Sequence, residues 1–162
     1  MTKKHISLIA VILAISLLSA CGAKTAQVRN DIAVSEVSAA VTAVLGADAL
    51  VSVPETYYSG AMKLDTADFE GYDVKINSKG INIDEFGVFK AKDSSQIATV
   101  EQAVRDYLQF RLDTWMVEYM PEEHPKLESA EVKTVGNYVM YAILSDKDKK
   151  DAFDAFEKSL TA

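Results

Sequence analysis

The chain has 162 residues, 49% of them hydrophobic, and a formal net charge of -7. That length builds one globular core rather than two, and the spread of aromatic and β-branched residues excludes a disordered chain. The acidic balance argues against nucleic acid or an anionic lipid surface as a partner.

The first segment is a leader. Lys3 and Lys4 precede an apolar run from Ile6 to Leu18, and Ser19-Ala20 then set small residues before Cys21, the only cysteine. Basic, apolar, small is the order of a secretory signal peptide, and the run is shorter than the roughly 20 residues a spanning helix needs. Leu18, Ser19, Ala20 and Cys21 together resemble the lipobox of bacterial lipoproteins. That resemblance implies removal of residues 1–20, a diacylglyceryl group on the Cys21 thiol and further palmitate-type acylation. Each buried methylene contributes about 0.8 kcal/mol, so two or more chains hold where one does not. The expected location is the extracytoplasmic face of the cell membrane, with membrane lipid as the first partner through acylated Cys21. Loss of Lys3 and Lys4 leaves the rest of the chain still more acidic, so the protein surface would not adhere by itself.

Residues 21–33 read as the lipid anchor and a short tether, and residues 34–162 as one domain. Val37, Val41, Val44 and Leu45 recur at helical spacing over residues 35–47, with Ser35 as the expected cap and Gly46 as the stop. Pro54, Tyr57, Tyr58 and Gly60 suggest a helical turn or loop covering the core. Tyr72, Val74 and Ile76 alternate with Asp73 and Lys75, which predicts a strand. In residues 83–91 Phe86 and Val88 face one way and Phe89 the other, as in an internal strand. Ile97, Val100, Val104, Leu108, Leu112, Trp115 and Tyr119 mark one stripe of a long helix predicted over 95–119, which Pro121 should end. Residues 121–126 then form an exposed turn. Residues 131–144 read as a hairpin turning at Gly136-Asn137. Ser145 or Asp146 caps a last helix that buries Ala152, Phe153, Phe156 and Leu160. Strands and helices without a repeating βα unit give an α+β fold: a small, mostly antiparallel sheet packed against a long helix and two shorter helices.

Chemistry is harder to place. None of the phosphate-loop, dinucleotide, zinc-protease or serine-hydrolase patterns occurs, so no cofactor and no catalytic residue is expected. One cysteine and two histidines, His5 and His124, do not supply a cysteine–histidine zinc site. Glu122, Glu123 and His124 are acceptable metal ligands, and the plainer reading is a solvated turn between two prolines. Asp65, Asp68, Glu70 and Asp73 lack the glycine and terminal glutamate of a calcium loop and read as acidic surface. Tyr57, Tyr58 and Tyr72 suit a recognition surface, since tyrosine joins a large contact area to a polar tip; they suit a lid over the core equally.

The stretches IDEFGVFKAKD (83–93), VRDYLQFRLDTW (104–115) and VGNYVMYAILSDKDKKDAFDAFEKSL (135–160) resemble a family of small lipoproteins of Gram-positive, clostridial-type bacteria that is catalogued as a domain of unknown function. The resemblance covers roughly residues 35–160. It implies an anchored extracytoplasmic domain and assigns no role to any residue. The expected function is a membrane-anchored, non-catalytic binding or interaction module, with an envelope protein or cell-wall ligand as partner. Two alternatives stand beside it: a cell-envelope enzyme or enzyme accessory acting on cell-wall or peptide substrates, and a structural subunit of an envelope complex.

Overall fold

The computed structural model describes residues 27–46, 50–116 and 118–162. The segment read above as a leader, with Leu18, Ser19 and Ala20, and the expected lipid-attachment residue Cys21 lie outside the described residues. Helix α1 (Val34–Leu45) and strand β1 (Leu50–Ser52) come first. A helical turn (Glu55–Tyr57) runs into a π-turn (Tyr58–Met62) and a 3-10 turn (Thr66–Asp68). Strands β2 (Phe69–Asn77) and β3 (Glu85–Ala91) lead through a 3-10 turn (Ser94–Gln96) to helix α2 (Ile97–Asp113). Short helix α3 (His124–Glu128), hairpin β4 (Glu131–Val135) and β5 (Tyr138–Ile143), and helix α4 (Asp146–Leu160) complete the order. Among the described residues no helix is long and apolar enough to cross a membrane.

The five strands form one antiparallel sheet in the order β1-β2-β3-β5-β4. Every residue of β3 and β5 is buried, as expected for strands with bulk on both faces. Side chains alternate across a strand, and the two faces feed two cores. Phe86, Val88, Tyr138, Met140 and Ala142 pack with Val37 and Val41 of α1 and with Phe153, Phe156 and Leu160 of α4. Val74, Phe89, Val139, Tyr141 and Ile143 pack with Val100, Val104 and Tyr107 of α2 and with Tyr58, Met62 and Leu64 of the turns. The fold is therefore α+β, with helices on both faces of the sheet.

Several boundaries differ from the sequence expectation. Helix α1 starts from Ala33, not Ser35, because Val34 is itself buried. Helix α2 stops at Asp113, well before Pro121. Thr114 turns its hydroxyl back onto the Phe110 carbonyl at 2.7 Å, a side-chain bond that competes with helix continuation. Trp115 lies beyond the helix, still packed at the edge of the same core and stacked on His124, while Met116 and Tyr119 are exposed. The turn at 121–126 is partly the helix α3, opened by Pro125 in its first turn and pinned by buried Leu127. The segment expected to be tether is laid on the domain from residue 27 onward. Arg29 N–H donates to Leu160 O at 2.8 Å and Ala162 N–H to Gln27 O at 3.1 Å. Tyr138 Oη donates to Ile32 O at 2.6 Å, and Asn30 Oδ1 accepts from Asn137 N–H at 2.8 Å.

Gly87 sets the spacing in the centre of the sheet. A Cβ there would lie 2.4 Å from Tyr141 Cε1 and 2.8 Å from Val74 Cγ2, so the missing side chain is what lets the Tyr141 ring lie across β3. Gly87→Ala should lower the free energy of unfolding by about 1–3 kcal/mol through overpacking. Gly60→Ala, where a Cβ meets nothing within 4 Å, should stay within about 0.5 kcal/mol of the parent. Urea denaturation of the two variants side by side measures both.

Candidate functional site

The most unusual buried group is Glu85, 2% exposed at the start of the central strand β3. It shares the face of Phe89, so strand geometry points it into the α2 core. A buried carboxylate is costly unless it is paired and hydrogen-bonded, and this one is both. Tyr141 Oη donates to Glu85 Oε1 at 2.5 Å, and Tyr107 Oη to the same oxygen at 2.6 Å. Arg111 Nη1 donates to Glu85 Oε2 and, at 2.7 Å, to Tyr107 Oη. Tyr57 Oη lies 3.1 Å from Tyr107 Oη; since the Tyr107 proton is given to Glu85, Tyr57 is the donor of that pair.

Each element supplies its part through local geometry. Tyr107 and Arg111 stand four apart on α2 and so share one face. Tyr141 lies opposite Gly87 in the β3–β5 register, two residues from Glu85 along β3, and reaches it over the glycine. The helical turn at Glu55–Tyr57 brings Tyr57 to the rim. Burial and the negative charge of Glu85 push the Tyr107 and Tyr141 phenols well above their ordinary value and also raise Tyr57. Burial acts against the charged form of Arg111, but the Glu85 charge outweighs it and holds the guanidinium ionised. The phenols are thus fixed as donors and the arginine as a cation. Both carboxylate oxygens of Glu85 are spent on partners within the domain, which locks α2 to the sheet.

A second charged cluster ties α3 to the start of β3. Glu123 Oε2 accepts from Ile83 N–H at 3.0 Å and from Lys126 Nζ at 2.8 Å, and Lys126 Nζ also donates to Asp84 Oδ1 at 2.8 Å. Burial works to raise the Glu123 pKa, but these donors outweigh it and leave the carboxyl below the usual range.

The sequence candidates are dispersed among these structural tasks. Tyr58 is 3% exposed, and its Oη accepts from Val74 N–H at 3.0 Å. Tyr72 packs edge-on against Tyr58 at 4.7 Å between ring centroids and donates to Glu55 Oε2 at 3.0 Å. Tyr57 belongs to the Glu85 network. Tyr58 and Tyr72 are in contact, and the three hydroxyls bond to three different partners. Glu122 is exposed, Glu123 is turned inward, and His124 stacks on Trp115 with Nδ1 3.6 Å from Glu128 Oε1. Among the described residues no three His, Cys, Asp or Glu side chains are grouped to hold a metal ion. Sequence reasoning missed Glu85. The available signal was a charge at an inward-facing position of an otherwise apolar strand, with a Tyr and an Arg four apart on the long helix.

Glu85→Ala should destabilise the domain by about 3–5 kcal/mol, because it strands a half-buried guanidinium as well as two hydroxyls. Removing that guanidinium in Glu85→Ala/Arg111→Met should recover part of the loss, as a double-mutant cycle in urea would show. Glu123 gives a pH signature. Its folded-state pKa is depressed, so its contribution is present above the unfolded carboxylate pKa and is lost as pH falls through the folded value. Glu123→Gln should flatten that part of the acid limb in unfolding measurements across pH.

Comparison with known proteins adds a family and no activity. No curated protein and no solved structure matches the chain. A family described as a domain of unknown function, DUF4358, matches residues 59–144, from the π-turn through α2 and the β4–β5 hairpin, and so contains Glu85, Tyr107, Arg111 and Tyr141 together. The match covers more than half of the chain, which therefore belongs to the DUF4358 family.

Proposed function

We propose that this protein is a lipid-anchored extracytoplasmic lipoprotein whose domain is a non-catalytic binding or interaction module. The observation that carries the reading is the leader, in which a basic, an apolar and a small-residue segment end at Leu18-Ser19-Ala20-Cys21. The fold is compatible with attachment there. Residues 22–26 separate Cys21 from the arm that begins at Gln27, and even fully extended they span only about 17 Å. The arm meets the domain beside the β4–β5 turn, where Asn137 O accepts from Ala91 N–H. The start of β3, with Glu85 and α3, is at the other end of the sheet and would face away from the bilayer. The non-catalytic part of the reading is supported by Glu85, each of whose oxygens is already engaged inside the domain by Tyr107, Tyr141 or Arg111.

Two measurements test the two halves. Protein extracted from membranes should carry acyl groups on Cys21 as the first residue by mass spectrometry, and Cys21→Ala should move it to the soluble fraction. An unmodified Cys21, or membrane retention of the alanine variant, refutes the anchor. Detergent-extracted protein should retain an envelope protein or glycan in repeated pull-downs; repeated failure to retain either refutes the binding module.

A further inference from the structure

A groove of about 640 Å³ runs between helix α1 and the β1–β2 edge of the sheet. Ala39, Thr42 and Ala43 form one wall, on one flank of α1. Ser52, Asp73 and Lys75 form the floor. Tyr72 borders the groove as well, with its ring on the other face of the sheet against the α2-side core. The floor residues share one face. Asp73 pairs with Val88 and Lys75 with Phe86 across β3, and Ser52 pairs with Lys75 across β1. Val88 and Phe86 belong to the core under α1 and α4, so the two charges stand at the margin of an apolar core and line the groove beside it.

The floor holds unused hydrogen-bonding capacity. The Asp73 and Lys75 side chains are 17% and 18% exposed, and Lys75 Nζ lies 3.5 Å from Asp73 Oδ2. Among the described residues the Asp73 carboxylate accepts no hydrogen bond, although it has room for several. Lys75 Nζ gives one proton to Ser52 Oγ at 2.9 Å and turns a second toward Asp73, which leaves its third. Ser52 accepts that bond and keeps its own proton to give. Thr42 gives its proton to Ser38 O at 2.8 Å and keeps its lone pairs. Donors and acceptors are thus interleaved, and Asp73 and Lys75 cancel in charge. Ala39 and Ala43, one turn apart and both exposed, leave the wall between them apolar and flat.

We propose that this groove binds a neutral hexopyranose unit. A sugar hydroxyl both donates and accepts, so neighbouring hydroxyls on one ring satisfy Asp73, Lys75 and Ser52 together. The C–H face of the ring lies on Ala39 and Ala43. A charged ligand would have to displace one member of the ion pair, and a purely apolar one would leave the floor unpaired. The volume falls within the roughly 300–1,000 Å³ of small-molecule sites. The site deepens the binding half of the function proposed above and rests on that reading, but it does not depend on the anchor.

The probes are methyl glycosides of glucose, galactose, mannose and N-acetylglucosamine, titrated into the full chain in a zwitterionic, sugar-free detergent and followed by amide chemical shifts. At least one should saturate shifts at Ala39, Thr42, Ser52 and Asp73. It should bind at least about tenfold more tightly than methyl glucuronide, methyl glucosaminide or alanine, the equivalent of one hydrogen bond to a charged group. Asp73→Ala should weaken it about tenfold. Ala39→Phe, on the exposed flank of α1, should block it without lowering the melting temperature, and it carries the test if the Asp73 variant misfolds. A tetrasaccharide of the same sugar that binds more tightly assigns the unit to a polymer, and equal binding assigns it to a free sugar; either supports the site. Absence of saturable shifts, shifts confined to other residues, a charged probe binding as tightly, or unchanged affinity in both variants overturns the proposal. The titration reads a soluble sugar, so its failure leaves a protein retained in the pull-downs untouched, and empty pull-downs leave the titration readable.

Discussion

A carboxylate inside the sheet is the constraint that organises this domain. Glu85 occupies a position where strand alternation demands an inward side chain, on the most central strand. Its charge has to be matched inside the protein, because water cannot reach it. The partners come from three separate parts of the chain: Tyr107 and Arg111 on α2 and Tyr141 on β5 bond to it directly, and Tyr57 reaches it through Tyr107. Satisfying one residue therefore sets the rotation of α2, its height over the sheet and the place of the Tyr57 turn. Gly87 follows from the same demand, since only an absent side chain leaves the Tyr141 ring its path to Glu85.

The opposite face is held differently. There α1 and α4 pack by apolar contact over Phe86, Val88, Tyr138 and Met140. The segment at residues 27–32 is stitched to the C-terminal residues by the Val28–Thr161 bridge. Polar bonds on that side hold the 27–32 segment, where Tyr138 holds Ile32 and Asn30 holds the β4–β5 turn, and tie α4 to the sheet edge, where Lys149 Nζ donates to Ser129 O and Lys133 pairs with Glu157. Gly136 makes the Asn30 contact feasible, because a Cβ there would meet Asn30 Oδ1 at 2.3 Å. One face thus carries a buried carboxylate network at its centre, and the other an apolar core with its ion pairs at the margin.

This division explains which elements could be read in advance. The β3 and β5 strands and α4 were legible because their apolar positions repeat at the period of the element, and Ser145 caps α4 through Asp148 N–H as its position suggests. The end of α2 was not legible. The apolar stripe continues through Trp115 and Tyr119, but the side-chain hydroxyl bond from Thr114 to Phe110 O and the stacking of Trp115 on His124 end the helix early. Tyr57, Tyr58 and Tyr72 looked like one surface because they are close in sequence or similar in type. Tertiary structure gives their hydroxyls three different partners, and Glu85, the group that matters at that site, sits in a strand read as internal but was not singled out.

The sequence by itself determined the α+β class, the two central strands and the absence of cysteine from residues 34–162, since composition and short-range periodicity carry all of these. Only tertiary structure decided that Glu85 is buried and that Tyr107, Arg111 and Tyr141 close around it. Each of those depends on residues twenty or more positions apart meeting in space, where the balance of desolvation against pairing is set by neighbours that periodicity does not identify.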